Sequence, residues 1–142
     1  RKLSEKEVFD ATLGEQEWSY LHALDLARAF EFVINNEIVR GSVNVGNPET
    51  IFIGEVLGQI QSRMKLAGYI NFGSMPYRKD QVMKLAPKCE KLLAVGWRPI
   101  VSFGKGLDQT LDWLLGNVPE NLATLDGNFY HFSLPSIQKI IE

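Results

Sequence analysis

Val95-Gly96-Trp97-Arg98-Pro99 is followed by Gly104-Lys105-Gly106-Leu107 and then by Thr110-Leu111-Asp112-Trp113. A glycine ends one helix and a Gly-Trp-x-Pro turn redirects the chain, because neither glycine nor proline continues a helix well. The leucines that follow recur at helical steps, so the spacing predicts an amphipathic helix near residues 105–115. Core packing is the favoured interpretation for Trp97 and Trp113.

Upstream of this stretch, strand-like and helix-like segments alternate. The sequence predicts strands at 8–12, 18–23, 41–46 and 69–72, a β-like triplet from Thr50, and helices at 25–34, 54–66 and 87–94. Asp25 suits a helix start, because a short carboxylate accepts backbone N–H groups of the first turn. We expect one domain over residues 1–116. The tail, residues 117–142, stays unassigned, with a candidate edge strand at 128–134 and a short helix at 135–141.

Composition argues against several classes of partner. The 142 residues are 45% hydrophobic, which suffices for one domain with its own core. The 15 Lys and Arg residues are scattered among 17 Asp and Glu, without the basic stripe that duplex nucleic acid requires. No apolar run approaches the roughly 20 residues of a membrane span, and no signal peptide is visible. We expect a cytoplasmic protein with neither a nucleic-acid nor a membrane partner, and we interpret Arg1 as a boundary and not a natural start.

The sequence lacks the residue patterns of cofactor, metal and proton-transfer sites. No Gly-x-Gly-x-x-Gly turn follows a strand, and Gly104-Lys105-Gly106 lacks the third glycine. No tyrosine has a lysine four residues on. His22, expected on a strand facing a hydrogen-bond partner, is far from His131, without metal-ligand spacing. Cys89 is alone and is expected to be a small, partly buried and unreactive apolar residue. No catalytic, cofactor-binding or metal-binding residue is therefore assigned.

Aromatic and cationic residues supply the candidates for ligand binding. Arg78 follows Pro76-Tyr77 in a turn between a strand and a helix, where its planar guanidinium could hold a diphosphate through two hydrogen bonds. A solvated loop arginine is the alternative, and residue type alone favours it. Trp18 or Tyr20 could stack on a nucleotide base. Core packing is the alternative for both, and for Trp18 the two interpretations are evenly balanced.

Five motifs in a fixed order, spanning roughly residues 8–115, carry a family resemblance. They are Trp18-Ser19-Tyr20-Leu21-His22-Ala23-Leu24-Asp25-Leu26-Ala27, Val43-Asn44-Val45-Gly46, Pro76-Tyr77-Arg78-Lys79-Asp80-Gln81-Val82-Met83, Gly96-Trp97-Arg98-Pro99, and the segment from Gly106-Leu107 to Trp113. Together they resemble the C-terminal portion of the NAD-dependent epimerase/dehydratase family, the extended short-chain dehydrogenase/reductases that modify nucleotide sugars. The sequence around Arg78 is most similar to that of the 4-keto-sugar reductases and epimerases within this family.

This resemblance implies an α/β fold, the C-terminal substrate-binding portion of an extended short-chain dehydrogenase/reductase whose Rossmann nucleotide-binding half is absent. It implies a parent enzyme that uses NAD or NADP and acts on a nucleoside-diphosphate sugar as an epimerase, dehydratase or 4-keto-reductase. The chain alone is then expected to bind no cofactor and to be inactive. A non-enzymatic binding or interaction domain that retains the fold is the alternative. We expect self-association through surfaces, at the helix from Asp25 and the strand at Val43, that would face the missing half.

The resemblance also suggests which residues bind substrate. They are Arg78, Tyr77, Trp18, Tyr20 and Asn44. In the family the arginine of this loop typically contacts the diphosphate. The resemblance therefore favours a binding role for Arg78, whereas its residue type alone favours a solvated loop arginine. Trp18 stands where the family often has an arginine that helps to hold the nucleotide phosphates. Either the contacts that bind the diphosphate or the type of substrate is therefore expected to differ from what is usual in the family.

Overall fold

The computed structural model describes residues 7–116, in which short strands alternate with helices. The described residues divide into two units, one that ends at Gln109 and one that begins at Thr110. The elements are β1 (Phe9–Ala11), β2 (Glu17–Ser19), α1 (Ala23–Ile34), β3 (Thr50–Phe52), α2 (Ile53–Arg63), β4 (Ile70–Phe72), β5 (Lys84–Leu85), α3 (Glu90–Ala94) and α4 (Phe103–Leu114). The expectations for residues 117–142, including His131, lie outside the described residues, and the domain boundary at residue 116 stays a prediction. Among the helices described, none is long and apolar enough to cross a membrane.

The strands form two small sheets. β1 pairs in parallel with β4, which places Phe9 opposite Ile70. In the second sheet β2 lies between two partners: it is antiparallel to β3, with Trp18 opposite Ile51, and parallel to β5, with Trp18 opposite Leu85. Parallel pairs need long connections, and α1 and α2 lie in the connections of both parallel pairs. Trp18 therefore sits on a central strand with a neighbour on each side.

The core of the first unit forms where α1, α3 and the Trp97 turn meet. Ala29, Leu92 and Trp97 are 0%, 0% and 2% exposed, which confirms the predicted core position of Trp97. Half-buried apolar side chains pack against them: Leu21, Phe32, Val33, Val39, Val43 and Val45. Trp113 is 64% exposed, so its predicted core position is wrong. It follows the buried Leu111 by two positions, about 200° around the helix, and so faces away from it.

Helix α1 begins two residues before the start predicted at Asp25. Its N-cap is His22, whose Nδ1 accepts a hydrogen bond from the backbone N–H of Leu24 at 3.2 Å. The second predicted strand accordingly ends at Ser19, and the expectation that His22 lies on a strand is wrong. An imidazole nitrogen thus takes the capping role that the sequence assigned to a carboxylate.

Asp25 lies in the first turn of α1, and its side chain joins that helix to the segment after the Trp97 turn. The carboxylate is fully buried and accepts hydrogen bonds from the backbone N–H groups of Ile100 at 3.0 Å and Val101 at 2.9 Å. Arg28, one turn along the helix, donates to the same carboxylate at 2.8 Å. Asp25 therefore connects two parts of the chain that are far apart in sequence.

The predicted strand at residues 41–46 is wrong, because no strand of the described chain pairs with this segment. Val43 and Val45 are half-buried against the core and Asn44 is exposed, so the alternation that suggested a strand reflects burial alone. Gly46 ends the segment in close contact with Pro87, where an added Cβ would lie 2.2 Å from the proline Cγ. An extended segment with one buried face therefore occurs here without a hydrogen-bonded ladder.

Pro87 precedes α3 and does not occupy its first turn as predicted. The helix begins at Glu90, with Cys89 at its N-cap position. The Cys89 side chain is buried, and burial, together with the charge of Glu90, raises the pKa of its thiol. Cys89 is only 3% exposed, so its burial is more complete than expected. β5 was not predicted, because a strand of two residues carries no periodicity that the sequence can reveal.

Candidate functional site

We call the connection between β4 and β5, residues 73–83, the Arg78 turn. It is bonded to the end of β1 and to the segment between β1 and β2. The backbone N–H of Met75 donates to the carbonyl of Ala11 at 3.2 Å. The Tyr77 hydroxyl accepts a hydrogen bond from the backbone N–H of Glu15 at 3.0 Å and donates to Oε2 of the same residue at 3.1 Å. The chain is therefore anchored at two points directly before Arg78.

Arg78 itself is exposed. Its backbone carbonyl accepts a hydrogen bond from the N–H of Gln81 at 3.0 Å, which closes a tight turn. Within the part of the chain that the structure describes, its guanidinium makes no hydrogen bond and no ion pair. Because a guanidinium has five N–H donors and stays charged at any physiological pH, this group is suited to bind an anion.

Trp18 lies beside the same turn. Its indole Nε1–H donates to the carbonyl of Val82 at 3.3 Å, and the side chain is half-buried. This bond fixes the ring relative to the segment that follows Arg78. The structure thus brings three of the predicted substrate-binding residues, Trp18, Tyr77 and Arg78, to one turn.

The other two predicted residues are held by different neighbours. Tyr20 packs edge-on against the ring of Phe103, with ring centroids 5.4 Å apart and planes inclined by 60°. Burial raises the pKa of its phenol, which is therefore neutral at physiological pH. Asn44 is exposed, and its side-chain amide donates to the carbonyl of Lys88 at 3.2 Å. These partners of Tyr20 and Asn44, Phe103 and Lys88, both lie outside the Arg78 turn.

Another cation near the Arg78 turn, Lys84, is paired with an acidic residue on β2. The Glu17 carboxylate accepts hydrogen bonds from the hydroxyl of Thr50 and, at 2.9 Å, from Nζ of Lys84. These bonds, that of Thr50 first, lower the pKa of Glu17, so the carboxylate is ionised at neutral pH. The charge of Lys84 is therefore compensated by Glu17 on the neighbouring strand, whereas the charge of Arg78 is not compensated by any described residue.

A shallow groove of about 260 Å³ runs along the end of β2. Its lining is mostly apolar and consists of Ser19, Leu21, Val45, Gly46, Leu85 and Pro87. The hydroxyl of Ser19 is occupied, since it donates to the carbonyl of Asn47 at 2.8 Å and accepts from the N–H of Asn47 at 3.2 Å. The groove is therefore suited to a flat apolar surface more than to a charged group.

The glycine pair Gly104 and Gly106 does not form a dinucleotide-binding turn. Gly104 and Gly106 lie in the first turn of α4, not in a loop between a strand and a helix. An added Cβ would lie 3.1 Å from the ring of His22 at Gly106 and 3.3 Å from Arg63 at Gly104, so these glycines allow close packing. Residues 7–116 also contain no group of three or more His, Cys, Asp or Glu side chains suited to a metal ion.

Comparison with known proteins identifies the family of the chain. No family model matches the chain. GDP-L-fucose synthase 1 of Arabidopsis thaliana is 30% identical to it over 99 residues, which are 70% of this chain and 30% of the relative. The solved structure of the epimerase Mth375 from Methanothermobacter thermautotrophicus matches it with a TM-score of 0.72 at 19% identity, over 82% of this chain and 35% of that one. The chain belongs to the extended short-chain dehydrogenase/reductase family.

A second solved member of the extended short-chain dehydrogenase/reductases confirms the fold. UDP-glucose 4-epimerase of Thermotoga maritima, determined with UDP-glucose, matches with a TM-score of 0.69 at 20% identity, over 83% of this chain and 38% of that protein. The chain thus spans 30% to 38% of the three relatives named here. The predicted fold, the α/β C-terminal portion of such an enzyme, is confirmed.

Two residues of the site were missed by sequence reasoning. Glu15 is 62 positions from Tyr77, and Val82 is 64 positions from Trp18. Neither spacing follows a helical or strand period, and Glu15 lies in none of the recognised motifs. A contact between two segments that are far apart in sequence leaves no local pattern, so only the fold reveals it.

Proposed function

We propose that this chain is the substrate-binding part of an NAD(P)-dependent nucleotide-sugar epimerase, dehydratase or 4-keto-reductase, and that its ligand is a nucleoside-diphosphate sugar. The relatives are named for reactions on GDP-, CDP- and UDP-sugars, which supports this class of ligand. The single observation that carries the proposal is the Arg78 guanidinium. It is exposed, has no partner among residues 7–116, and follows an anchored residue.

In this proposal the guanidinium of Arg78 donates two hydrogen bonds to the diphosphate. A planar fork matches phosphate geometry, and charge-assisted bonds of this kind are about twice as strong as neutral ones. Trp18, fixed by its bond to Val82, offers a ring face for the nucleotide base. Tyr20 and Asn44 are proposed to border the same ligand. These residues bind and orient the substrate, and none of them transfers a proton or a hydride.

The redox chemistry is proposed to lie outside these 142 residues. Solved relatives were determined with NAD or NADP bound, and such a cofactor supplies and accepts a hydride. The sequence has no Gly-x-Gly-x-x-Gly motif of a dinucleotide-binding turn, and no tyrosine here has a lysine four residues on. We therefore propose that the chain alone binds the nucleotide sugar and does not turn it over.

Replacing Arg78 with alanine is expected to weaken the binding of UDP, CDP or GDP by about 10- to 100-fold. A hydrogen bond to a charged group contributes roughly 1.5–3 kcal/mol, and each 1.4 kcal/mol corresponds to a factor of ten in affinity. Isothermal titration calorimetry of the purified chain with each nucleotide gives the dissociation constants. Lys79→Ala is the matched control, since it removes a neighbouring exposed cation, and it should change affinity less than about twofold. Equal binding by the wild-type and Arg78→Ala chains would refute the proposal.

The outer face of α1 is proposed to mediate self-association. Leu26, Phe30 and Ile34 recur every four residues and form one stripe, in which the side chains are 41%, 62% and 67% exposed. Ala29, which is buried, lies about 100° around the helix from Phe30, so the apolar residues of α1 divide into a buried set and an exposed set. Every copy of the chain presents the same stripe, and two copies can cover it by packing their helices together.

The substitution Phe30→Glu is expected to shift the chain from dimer to monomer, because a carboxylate in an apolar contact must be desolvated without a partner. Sedimentation velocity over a range of concentrations measures the shift. Val8→Glu is the control: it places the same charge at a position that is 57% exposed and lies outside α1. A wild-type chain that remains monomeric at all concentrations would contradict this part of the proposal.

A further inference from the structure

The contact between Glu15 and Tyr77 uses both hydrogen-bonding capacities of one hydroxyl. The oxygen accepts from the Glu15 backbone N–H at 3.0 Å, and its proton is donated to the Glu15 carboxylate at 3.1 Å. A phenol has a single proton to donate, so Tyr77 has none left for a ligand. We call this pair of bonds the Glu15–Tyr77 clasp.

One side of the clasp rests on a firmly held segment. The carbonyl of Gly14 accepts from the N–H of Gly54 at 2.8 Å, and the carbonyl of Gln16 accepts from the N–H of Ile53 at 2.8 Å. Both donors belong to the first turn of α2. The two residues that flank Glu15 are thus bonded to the start of a helix, so Glu15 has little freedom to move.

The other side of the clasp leads directly to Arg78. Tyr77 precedes it by one residue, and the next anchor upstream is the bond from Met75 to Ala11 at 3.2 Å. After Arg78 the chain turns at once through the bond to Gln81. The backbone that carries the guanidinium is therefore held through Tyr77 against α2, whereas the guanidinium has no bond to the described part of the protein.

We propose that Glu15 and Tyr77 are positioning residues, which hold the Arg78 turn so that the guanidinium is placed for a diphosphate before the ligand arrives. This inference rests on the proposed function and deepens it. Ordering a loop on binding costs affinity, and a loop that is already ordered avoids that cost. Tyr77, predicted from sequence to contact substrate, acts in this account through its neighbour.

The test compares three variants in titrations with UDP and with inorganic pyrophosphate. Tyr77→Phe removes the hydroxyl and both of its exposed hydrogen bonds, and it is expected to weaken binding about fivefold. Glu15→Leu removes the acceptor and should weaken binding by a similar factor. Glu15→Gln keeps an oxygen that accepts from the hydroxyl, so it should bind as the wild type does. Thermal midpoints of all variants identify any that are unfolded at the temperature of titration.

A double-mutant cycle with Arg78→Ala separates positioning from direct contact. If Tyr77 acts through Arg78, Tyr77→Phe has little further effect in the Arg78→Ala chain. A fivefold effect in both backgrounds would overturn the inference, as would wild-type affinity of Tyr77→Phe while Arg78→Ala is weak. Failure of Arg78→Ala to alter binding would instead remove the proposed function and this inference together.

Amide hydrogen exchange gives a readout that needs no ligand. The Glu15 amide donates to the Tyr77 hydroxyl, so Tyr77→Phe is expected to speed its exchange at least tenfold, together with that of the bonded amides of Met75 and Gln81. Glu15→Gln should leave these rates unchanged. Unchanged exchange in Tyr77→Phe would show that the clasp does not hold the turn, and the inference would be wrong even where nucleotide binding is confirmed.

Discussion

Replacing Asp25 with alanine should destabilise the chain by about 3–5 kcal/mol, the usual effect of removing one partner from a buried charged network. The carboxylate is fully buried, and its loss leaves the backbone N–H groups of Ile100 and Val101 without acceptors and Arg28 without its ion-pair partner. Since domains are stable by only about 5–15 kcal/mol, much of the folding free energy would be lost. α1 and the segment after the Trp97 turn would then separate more easily.

Chemical denaturation followed by circular dichroism at neutral pH measures this effect. Asp112→Ala, which removes an exposed carboxylate, is the control and should change the free energy of unfolding by less than about 0.5 kcal/mol. An Asp25→Ala chain with the denaturation midpoint of the wild type would contradict the role assigned to the carboxylate.

The same carboxylate should make stability depend on pH. Burial raises the pKa of Asp25, but hydrogen bonds from Ile100, Val101 and Arg28 outweigh it, so the pKa lies below its usual range. In the unfolded chain the pKa of an aspartate is about 3.9. The contribution of Asp25 is therefore present above that value and is lost as the pH falls through the lower pKa of the folded state. Asp25→Asn should show a smaller loss of stability on acidification over this range.

Replacing Gly14 with alanine should cost about 2–5 kcal/mol, the sum of a strained backbone and an overpacked contact. Gly14 has φ of +78°, which residues with a Cβ rarely adopt. The added Cβ would lie 2.5 Å from both Cα and N of Gly54, which are backbone atoms and cannot rotate away. The segment that carries Glu15 would have to move from the start of α2.

Gly68→Ala is the matched control for this substitution. Gly68 has φ of +85°, but nothing lies within 4 Å of the Cβ that would be added. It should therefore show only the backbone cost of about 1–2 kcal/mol. Thermal unfolding of both variants gives the comparison, and a Gly14→Ala chain no less stable than Gly68→Ala would show that the contact with Gly54 is not tight.

Much of the local structure could be predicted from sequence, because helix periodicity and turn residues are local signals. α1 and α4 begin within two residues of their predicted starts, since apolar steps of three and four residues mark a helix whatever surrounds it. The prediction of a strand at residues 41–46 was wrong for a physical reason. Alternating burial of Val43 and Val45 is shared by strands and by extended chain without a ladder, and only a partner strand distinguishes the two.

The candidate site could be predicted only in part. Arg78 and Trp18 stand in motifs that the sequence displays, and the structure brings both to the same turn. The bonds of Trp18 to Val82 and of Tyr77 to Glu15 join segments that are distant in sequence, and no local spacing encodes them. Trp113 was misjudged because an aromatic residue in a helix suggests burial, whereas its position relative to Leu111 turns it outward.

The most direct test of the central claim is a crystal structure of the chain with UDP or a UDP-sugar bound. We predict two guanidinium nitrogens of Arg78 within about 2.7–3.2 Å of the diphosphate oxygens, with Tyr77 still bonded to Glu15 and the base against Trp18. A diphosphate bound elsewhere, with Arg78 left in solvent, would contradict the account.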